Sequence, residues 1–177
     1  MTTKNVKVEL LYLDLDTCDR CQATDRNLDT ALEAVSGILR AAGWEVTVRK
    51  THVTTEEQAA ALGFVSSPTI RVNGRDIAPT LEESTCGACS SIAQTEVGCR
   101  TWGEETSAPV TTIVDAILRA VYGTADDTAS EPAPAVDSSV MRFLAATNKP
   151  KACAGACGRR WRWQASAPTR SMRSTAT

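Results

Sequence analysis

Aromatic and histidine side chains are scarce in this sequence, and long apolar runs are missing. Aromatic residues make up 5% of the 177 residues, and the only histidine is His52. The core must therefore be built mainly from aliphatic side chains, and one histidine without a partner motif is weak evidence for a metal ligand. No apolar run approaches the roughly 18 residues that cross a bilayer, so we expect no membrane partner.

Several functional signatures are also missing. The sequence contains no paired catalytic carboxylates, Ser/His/Asp set, phosphate-binding loop or nucleotide-binding motif. Its first residues lead into a strand pattern and not into an apolar secretion segment, so we expect a cytoplasmic protein. All 21 acidic residues precede residue 138, and the segment after it is basic. The Arg-Arg-Trp-Arg-Trp run over 159–163 is too short to predict a nucleic-acid partner.

Cysteine, by contrast, is abundant. The chain has seven cysteines, which is many for a cytoplasmic protein of this size. In a reducing compartment, closely spaced cysteines indicate redox or metal chemistry before structural disulfides. The odd number also argues against a framework in which every cysteine is paired.

The apolar periodicity predicts the α/β element order βαβαββα. The predicted elements are a strand over 5–15, an amphipathic helix from about 19 to Gly43, a strand over 44–53, a short helix from Thr54 to Gly63, a hairpin over 69–78 and a helix from Pro109 to Gly123. The hairpin turns at Asn73-Gly74, two residues that tolerate positive φ.

Composition divides the chain further. We predict one domain over 1–123, in which 79–107 form a cysteine-rich insert, a loop without clear periodicity. Residues 124–139 are rich in Ala, Asp, Thr, Ser and Pro, as linkers are. Residues 140–177 read as a basic and mostly disordered tail that begins with a short helical turn docking Phe143 and Leu144.

A dithiol follows the first predicted strand directly. Cys18 and Cys21 form a Cys-x-x-Cys motif where the strand gives way to the helix. Unpaired backbone N–H groups at a helix N-terminus favour a thiolate, which is the form that attacks disulfides and binds soft metals. The two residues lie one turn apart on the same face, so nucleophile-and-resolver chemistry and chelation are both available.

The motifs resemble those of thioredoxins and glutaredoxins over about residues 5–123. Shared features are the Cys-x-x-Cys after the first strand, the Ser-Pro-Thr before the hairpin and the closing helix. The resemblance implies a thioredoxin-like fold with a mixed four-stranded sheet. It also implies that Cys18 and Cys21 are the active-site pair and that Pro68 is the cis-proline facing them. A cis Ser67-Pro68 bond would place the Ser67 backbone where it could pair with a bound peptide or thiol.

A closer resemblance is to a prokaryotic thioredoxin-like family of unknown function with a cysteine-rich insert. It rests on the strings Leu-Asp-Thr-Cys at 15–18 and Ser-Ser-Pro-Thr-Ile-Arg-Val-Asn-Gly-Arg-Asp-Ile at 66–77. The Trp-Cys-Gly-Pro-Cys context of thioredoxins is absent. Three acidic residues surround the dithiol instead and oppose thiolate formation, while Arg20 partly compensates.

The insert contains three more cysteines. The second hairpin strand returns to the edge that carries Cys18, so Cys86, Cys89 and Cys99 could approach Cys18 and Cys21. Together they could form a thiolate site for zinc, copper(I), mercury or arsenite. They could also relay oxidation to the first dithiol. Against zinc, the insert offers no evident fourth ligand after Cys99, and the spacing fits no finger pattern.

Two functional hypotheses follow. The first is a thiol-disulfide oxidoreductase with Cys18 as nucleophile, Cys21 as resolver and Pro68 opposite them. It needs no cofactor and acts on a protein or low-molecular-weight disulfide partner, and it requires the two sulfur atoms to be accessible. The second is a non-catalytic binder of a thiophilic ion that uses Cys18, Cys21 and the insert cysteines. A thioredoxin-like [2Fe–2S] protein ranks last, because its ligand spacing is not visible.

Overall fold

The computed structural model describes residues 4–78, 80–123 and 138–148. The elements, in chain order, are β1 (Lys4–Tyr12), α1 (Asp19–Ala41), β2 (Trp44–His52), α2 (Glu56–Leu62), β3 (Thr69–Val72), β4 (Arg75–Asp76), β5 (Glu83–Thr85), α3 (Gly87–Ala93), β6 (Gly98–Arg100), α4 (Val110–Tyr122) and α5 (Ser139–Thr147). None of the helices in these ranges combines the length and the hydropathy that a membrane crossing requires.

The main sheet has four strands in the order β2-β1-β3-β4. β1 runs parallel to β2, and it pairs antiparallel with β3. β3 and β4 form the predicted hairpin, and its two turn residues, Asn73 and Gly74, have φ values of 51° and 82°. The predicted mixed four-stranded sheet is therefore confirmed. β4 ends at Asp76, before the predicted residue 78, because the Asp76 carboxylate accepts a hydrogen bond from the Ala78 N–H and turns the chain.

One face of the sheet packs against α1 and α4. A buried stripe on α1 and the apolar side of α4 enclose the inward-pointing residues of β1 and β3. The cluster comprises Val6, Val8, Leu10, Leu28, Ala31, Val35, Leu39, Ile70, Val72, Ala108, Ile113 and Ile117. These side chains are aliphatic, as the scarcity of aromatic residues predicted. Burying each large one contributes about 1.5–3 kcal/mol to stability.

A second cluster lies around the C-terminal end of β1. Leu11 and Leu13 belong to it, because alternate residues of a strand point to opposite faces. Its other members come from the start of α1, the α2 region, α3, β6 and α5, and they include all five cysteines that the structure describes. The cysteines are thus part of a packed core and not of an open cleft.

The predicted loop over 79–107 contains regular structure. β5 and β6 form a separate antiparallel pair, and α3 connects them. Apolar periodicity did not predict these elements, because strands of three residues and a helix of seven residues are too short to show a repeating pattern. The insert is therefore a small folded unit that can hold its cysteines in fixed positions.

α5 lies where the sequence suggested a short helical turn. The Ser138 side chain caps it by accepting a hydrogen bond from the Met141 N–H. Its apolar side places Val140, Phe143 and Leu144 in the same cluster as the cysteines, and the helix contacts α2, α3 and β6. Residues 124–137 of the predicted linker lie outside the described residues, whereas its last two residues, Ser138 and Ser139, begin α5. The tail after residue 148, including Cys153 and Cys157, also lies outside the described residues.

Candidate functional site

A short turn between β1 and α1 presents Cys18. The Asp14 carboxylate accepts hydrogen bonds from the backbone N–H groups of Thr17, at 2.6 Å, and Cys18, at 3.2 Å. Cys18 is the N-cap residue of α1, with an extended backbone. Its sulfur therefore lies at the positive end of the helix, as predicted. Asp14 organises this turn, which is a more specific role than the general negative charge inferred from the sequence.

Cys21 lies one turn further along α1 and faces the segment before β3. Its sulfur is 3.4 Å from the Ser67 hydroxyl, which also accepts a hydrogen bond from the Leu13 N–H. The Ser67-Pro68 peptide bond is cis. The structure thus brings the Cys-x-x-Cys motif and the proline segment together, as the resemblance implied.

The dithiol is not accessible, contrary to what the oxidoreductase hypothesis requires. Cys18 and Cys21 are both 0% exposed. The backbone carbonyl of Ser67 accepts a hydrogen bond of 2.9 Å from the Arg100 N–H of β6. The insert therefore occupies the position at which an external peptide was expected to pair. The insert therefore covers the dithiol. The sequence could not predict this, because it depends on how the insert folds back onto the sheet.

Four sulfur atoms converge under this cover. The Sγ atoms of Cys18, Cys86, Cys89 and Cys99 all lie within 4.8 Å of one another, and all four residues are buried. The Cys18 and Cys86 sulfurs are 3.9 Å apart, and those of Cys89 and Cys99 are 3.5 Å apart. Cys86 is the N-cap residue of α3, Cys89 lies one turn into that helix, and Cys99 is in β6.

This set differs from the predicted five-cysteine site in one member. Cys21 lies beside the cluster but does not belong to the four mutually close sulfurs. The fourth sulfur, which was not evident after Cys99, is that of Cys18, the N-cap residue of α1. The strand order was the feature that indicated this proximity, because the second strand of the hairpin returns the chain to the edge on which Cys18 lies.

The thiols perturb one another strongly. Donation from the thiols of Cys21 and of the three insert cysteines lowers the pKa of Cys18 well below the usual thiol range. Proximity to Cys18 and burial raise the pKa of Cys21. For Cys86, the interaction with Cys18 raises the pKa, but hydrogen bonds from Cys89 and Cys99 outweigh it and lower the value to about 6.

The pKa values of Cys89 and Cys99 are raised, first by their contacts with Cys18 and then by Cys86 and burial. Four thiolates at these distances would repel one another strongly in a buried site. These directions favour the thiolate form at Cys18 and Cys86 and the protonated form at Cys89 and Cys99.

An ion pair between the buried Arg100 and the partly exposed Asp76 holds β6 next to β4. Arg100 is 1% exposed, and its guanidinium contacts the Asp76 carboxylate at 2.8 and 3.0 Å. Sequence reasoning missed this pair, because a single Arg and Asp 24 residues apart carry no pattern. It ties the strand that carries Cys99 to the edge of the main sheet.

Replacing Asp76 with Asn should destabilise the protein by about 2 kcal/mol, because the buried Arg100 loses its counter-charge. Urea denaturation measures the change. The matched control is Asp115→Asn, which breaks the exposed 2.8 Å pair with Arg119 on α4 and should cost less than about 0.5 kcal/mol. Equal effects of the two substitutions would contradict the stabilising role of Asp76.

The comparisons with known proteins identify a family without an assigned activity. No curated protein and no solved structure matches the chain significantly. One family model matches residues 6–119, a range that begins in β1, ends within α4 and includes Cys18, Cys21, Cys86, Cys89 and Cys99. The match covers more than half of the chain and leaves out α5. The chain belongs to this family, the domain of unknown function DUF2703.

Proposed function

We propose that the protein binds one Zn²⁺ ion through Cys18, Cys86, Cys89 and Cys99, as a non-catalytic thiolate centre. The convergence of these four sulfurs within 4.8 Å carries the proposal. With Zn–S bonds of about 2.3 Å, a tetrahedral site separates its sulfurs by about 3.8 Å. The separations of 3.5 and 3.9 Å lie on either side of that value, and no pair in the set is more than 4.8 Å apart, so modest side-chain shifts would bring the sulfurs to tetrahedral spacing.

The donor set favours zinc among the thiophilic ions. Four sulfur donors around one point suit tetrahedral Zn²⁺, and a site without an open position is typical of structural zinc. Iron–sulfur clusters divide their thiolates between different irons, with inorganic sulfide between them. A buried set of four sulfurs centred on one point fits a single ion better than a cluster.

The proposed scaffold is thioredoxin-like. Three observations support it: the strand order β2-β1-β3-β4 with β1 and β2 parallel, the Cys-x-x-Cys motif at the start of α1, and the cis Ser67-Pro68 bond before β3. In this interpretation the insert converts an exposed dithiol position into a closed metal centre. One former active-site cysteine, Cys18, becomes a ligand.

The dithiol oxidoreductase is the second candidate, and the position of Cys18 and Cys21 at the start of α1, beside the cis Ser67-Pro68 bond, favours it. It requires the insert to leave the dithiol, so that an external disulfide partner can reach Cys18. For either function we propose a cytoplasmic location. All five described cysteines are free thiols, a state that the reducing cytoplasm maintains.

The test is the metal content of anaerobically purified variants. Wild-type protein should carry about one equivalent of zinc, in line with the single donor set. Replacing Cys18, Cys86, Cys89 or Cys99 by Ser should weaken zinc binding by more than about 100-fold, since loss of a ligand should exceed the effect of an outer-shell partner. Competition with a chromophoric chelator measures the affinity.

Cys21→Ser is the matched control, because Cys21 is equally buried and adjacent but is outside the donor set. It should retain one equivalent of zinc. Metal-free wild-type protein that reduces insulin disulfides, and loses that activity in both Cys18→Ser and Cys21→Ser, would support the oxidoreductase. An equal loss of zinc in Cys21→Ser would contradict the four-ligand assignment.

A further inference from the structure

Arg20 connects the two halves of the cysteine cluster. It lies between Cys18 and Cys21 on α1, but its side chain does not bind an acidic group in any contact that the structure gives for it. Nη1 donates to the backbone carbonyls of Ser84, at 3.2 Å, and Cys99, at 3.1 Å. Nη2 donates to the carbonyl of Thr85 at 3.0 Å. One guanidinium thus holds three carbonyls of the insert.

These carbonyls belong to both strands of the insert. Ser84 of β5 and Cys99 of β6 are direct partners in the antiparallel pair, so Nη1 bridges the two strands at one register position. The planar fork of arginine presents several N–H donors in fixed directions, which a lysine ammonium cannot reproduce. The contact fixes both the distance and the orientation of the insert relative to the N-terminus of α1.

The chain needs such a connection because the donors come from separate units. Cys18 belongs to α1, whereas Cys86, Cys89 and Cys99 all belong to the insert. A tetrahedral ion tolerates little error in the position of its fourth ligand. Arg20 is two residues from Cys18, and one of its bonds ends on the carbonyl of Cys99 itself.

We infer that Arg20 is a positioning residue that brings Cys18 to the three insert thiolates. The inference rests on the proposed zinc function and adds to it a residue that binds no metal. Its removal should lower zinc affinity by about 10–100-fold, as measured for outer-shell partners that orient metal ligands. The loss should arise mainly from faster dissociation, because a fourth ligand that is no longer held in place detaches first.

An electrostatic role is the competing explanation, since a cation near thiolates would stabilise them wherever its hydrogen bonds go. Two substitutions separate the explanations. Arg20→Gln removes the charge and the fork, whereas Arg20→Lys keeps the charge and loses the fork. The positioning role predicts reduced affinity in both variants, and a purely electrostatic role predicts wild-type affinity in Arg20→Lys.

The experiment measures zinc affinity, zinc release to a chelator and the visible spectrum of the Co²⁺-loaded protein, whose intensity reports tetrahedral geometry. Arg26→Gln is the control, because Arg26 is exposed on the same helix. We expect wild-type behaviour in Arg26→Gln. In both Arg20 variants we expect about 10–100-fold weaker binding and a weaker Co²⁺ spectrum.

Full-chain Arg20→Lys with wild-type zinc affinity and Co²⁺ spectrum would overturn the inference, even if Arg20→Gln failed to fold. In that outcome the four-cysteine zinc site would still stand, provided that the ligand variants lose metal. A wild-type protein that binds no zinc would overturn the proposed function together with this inference. The two failures are therefore distinguishable.

Discussion

Removing zinc from the proposed four-cysteine centre with a chelator should lower the thermal unfolding midpoint of the protein by about 10 °C. Ligand binding to the folded state alone stabilises it by RT ln(1 + [L]/Kd), which is about 4 kcal/mol when free zinc exceeds Kd by 1,000-fold. For a chain of this size, 1 kcal/mol corresponds to a shift of about 2–4 °C. Differential scanning calorimetry with and without added zinc measures the change.

The control for this prediction is the Cys99→Ser variant, which lacks one ligand and should unfold at the same temperature with or without the chelator. The effect should be local in origin, because the proposed ligands lie in the insert and at the start of α1. The aliphatic cluster beneath α1 and α4 contains none of them. A midpoint of the wild-type protein that does not respond to chelation would contradict a stabilising zinc centre.

Ending the chain after Gly123, which deletes α5, should accelerate zinc release to a chelator by about 30-fold. Val140, Phe143 and Leu144 pack into the cluster that holds the cysteines, and α5 contacts the helix that carries Cys89. The favourable free energy of burying these side chains is partly offset by the conformational entropy that α5 loses when it becomes ordered. We therefore expect the docking of α5 over the cysteine cluster to have a net free energy of about 2 kcal/mol. This corresponds to an equilibrium ratio of about 30 between docked and undocked α5.

The matched control ends the chain after Asn148, so that α5 is retained and only the last residues are lost. The Asn148 side chain donates to the Thr54 carbonyl, which anchors the end of α5 beside α2. Stopped-flow mixing with a chromophoric chelator should give wild-type release in this control. Equal release from the two truncated chains would show that α5 does not shield the centre.

Much of the main sheet could be predicted, because its elements have local causes. The apolar stripe of α1 recurs at helical spacing over 23 residues, and the Asn73-Gly74 pair specifies a hairpin by its backbone conformation alone. Gly43, with φ 78°, closes the turn after α1 as predicted. Each of these features depends on residues that are close together in the chain.

The insert and the accessibility of the dithiol could not be predicted in the same way. β5, α3 and β6 are too short to leave a periodic pattern. The contacts that seat the insert, from Arg20 to three carbonyls and from Arg100 to Asp76, join residues that are 24 or more positions apart. The expectation of an exposed dithiol was wrong because the insert folds over it.

By itself, the sequence determined which residues carry thiols and where the first dithiol lies. Cysteine chemistry follows from residue type, and the placement of Cys18 at a helix N-terminus follows from local periodicity. Only the tertiary structure decided that Cys18 joins Cys86, Cys89 and Cys99 and that Cys21 stays beside them. The physical reason is that distances between sulfur atoms depend on long-range packing, which no local pattern in the chain encodes.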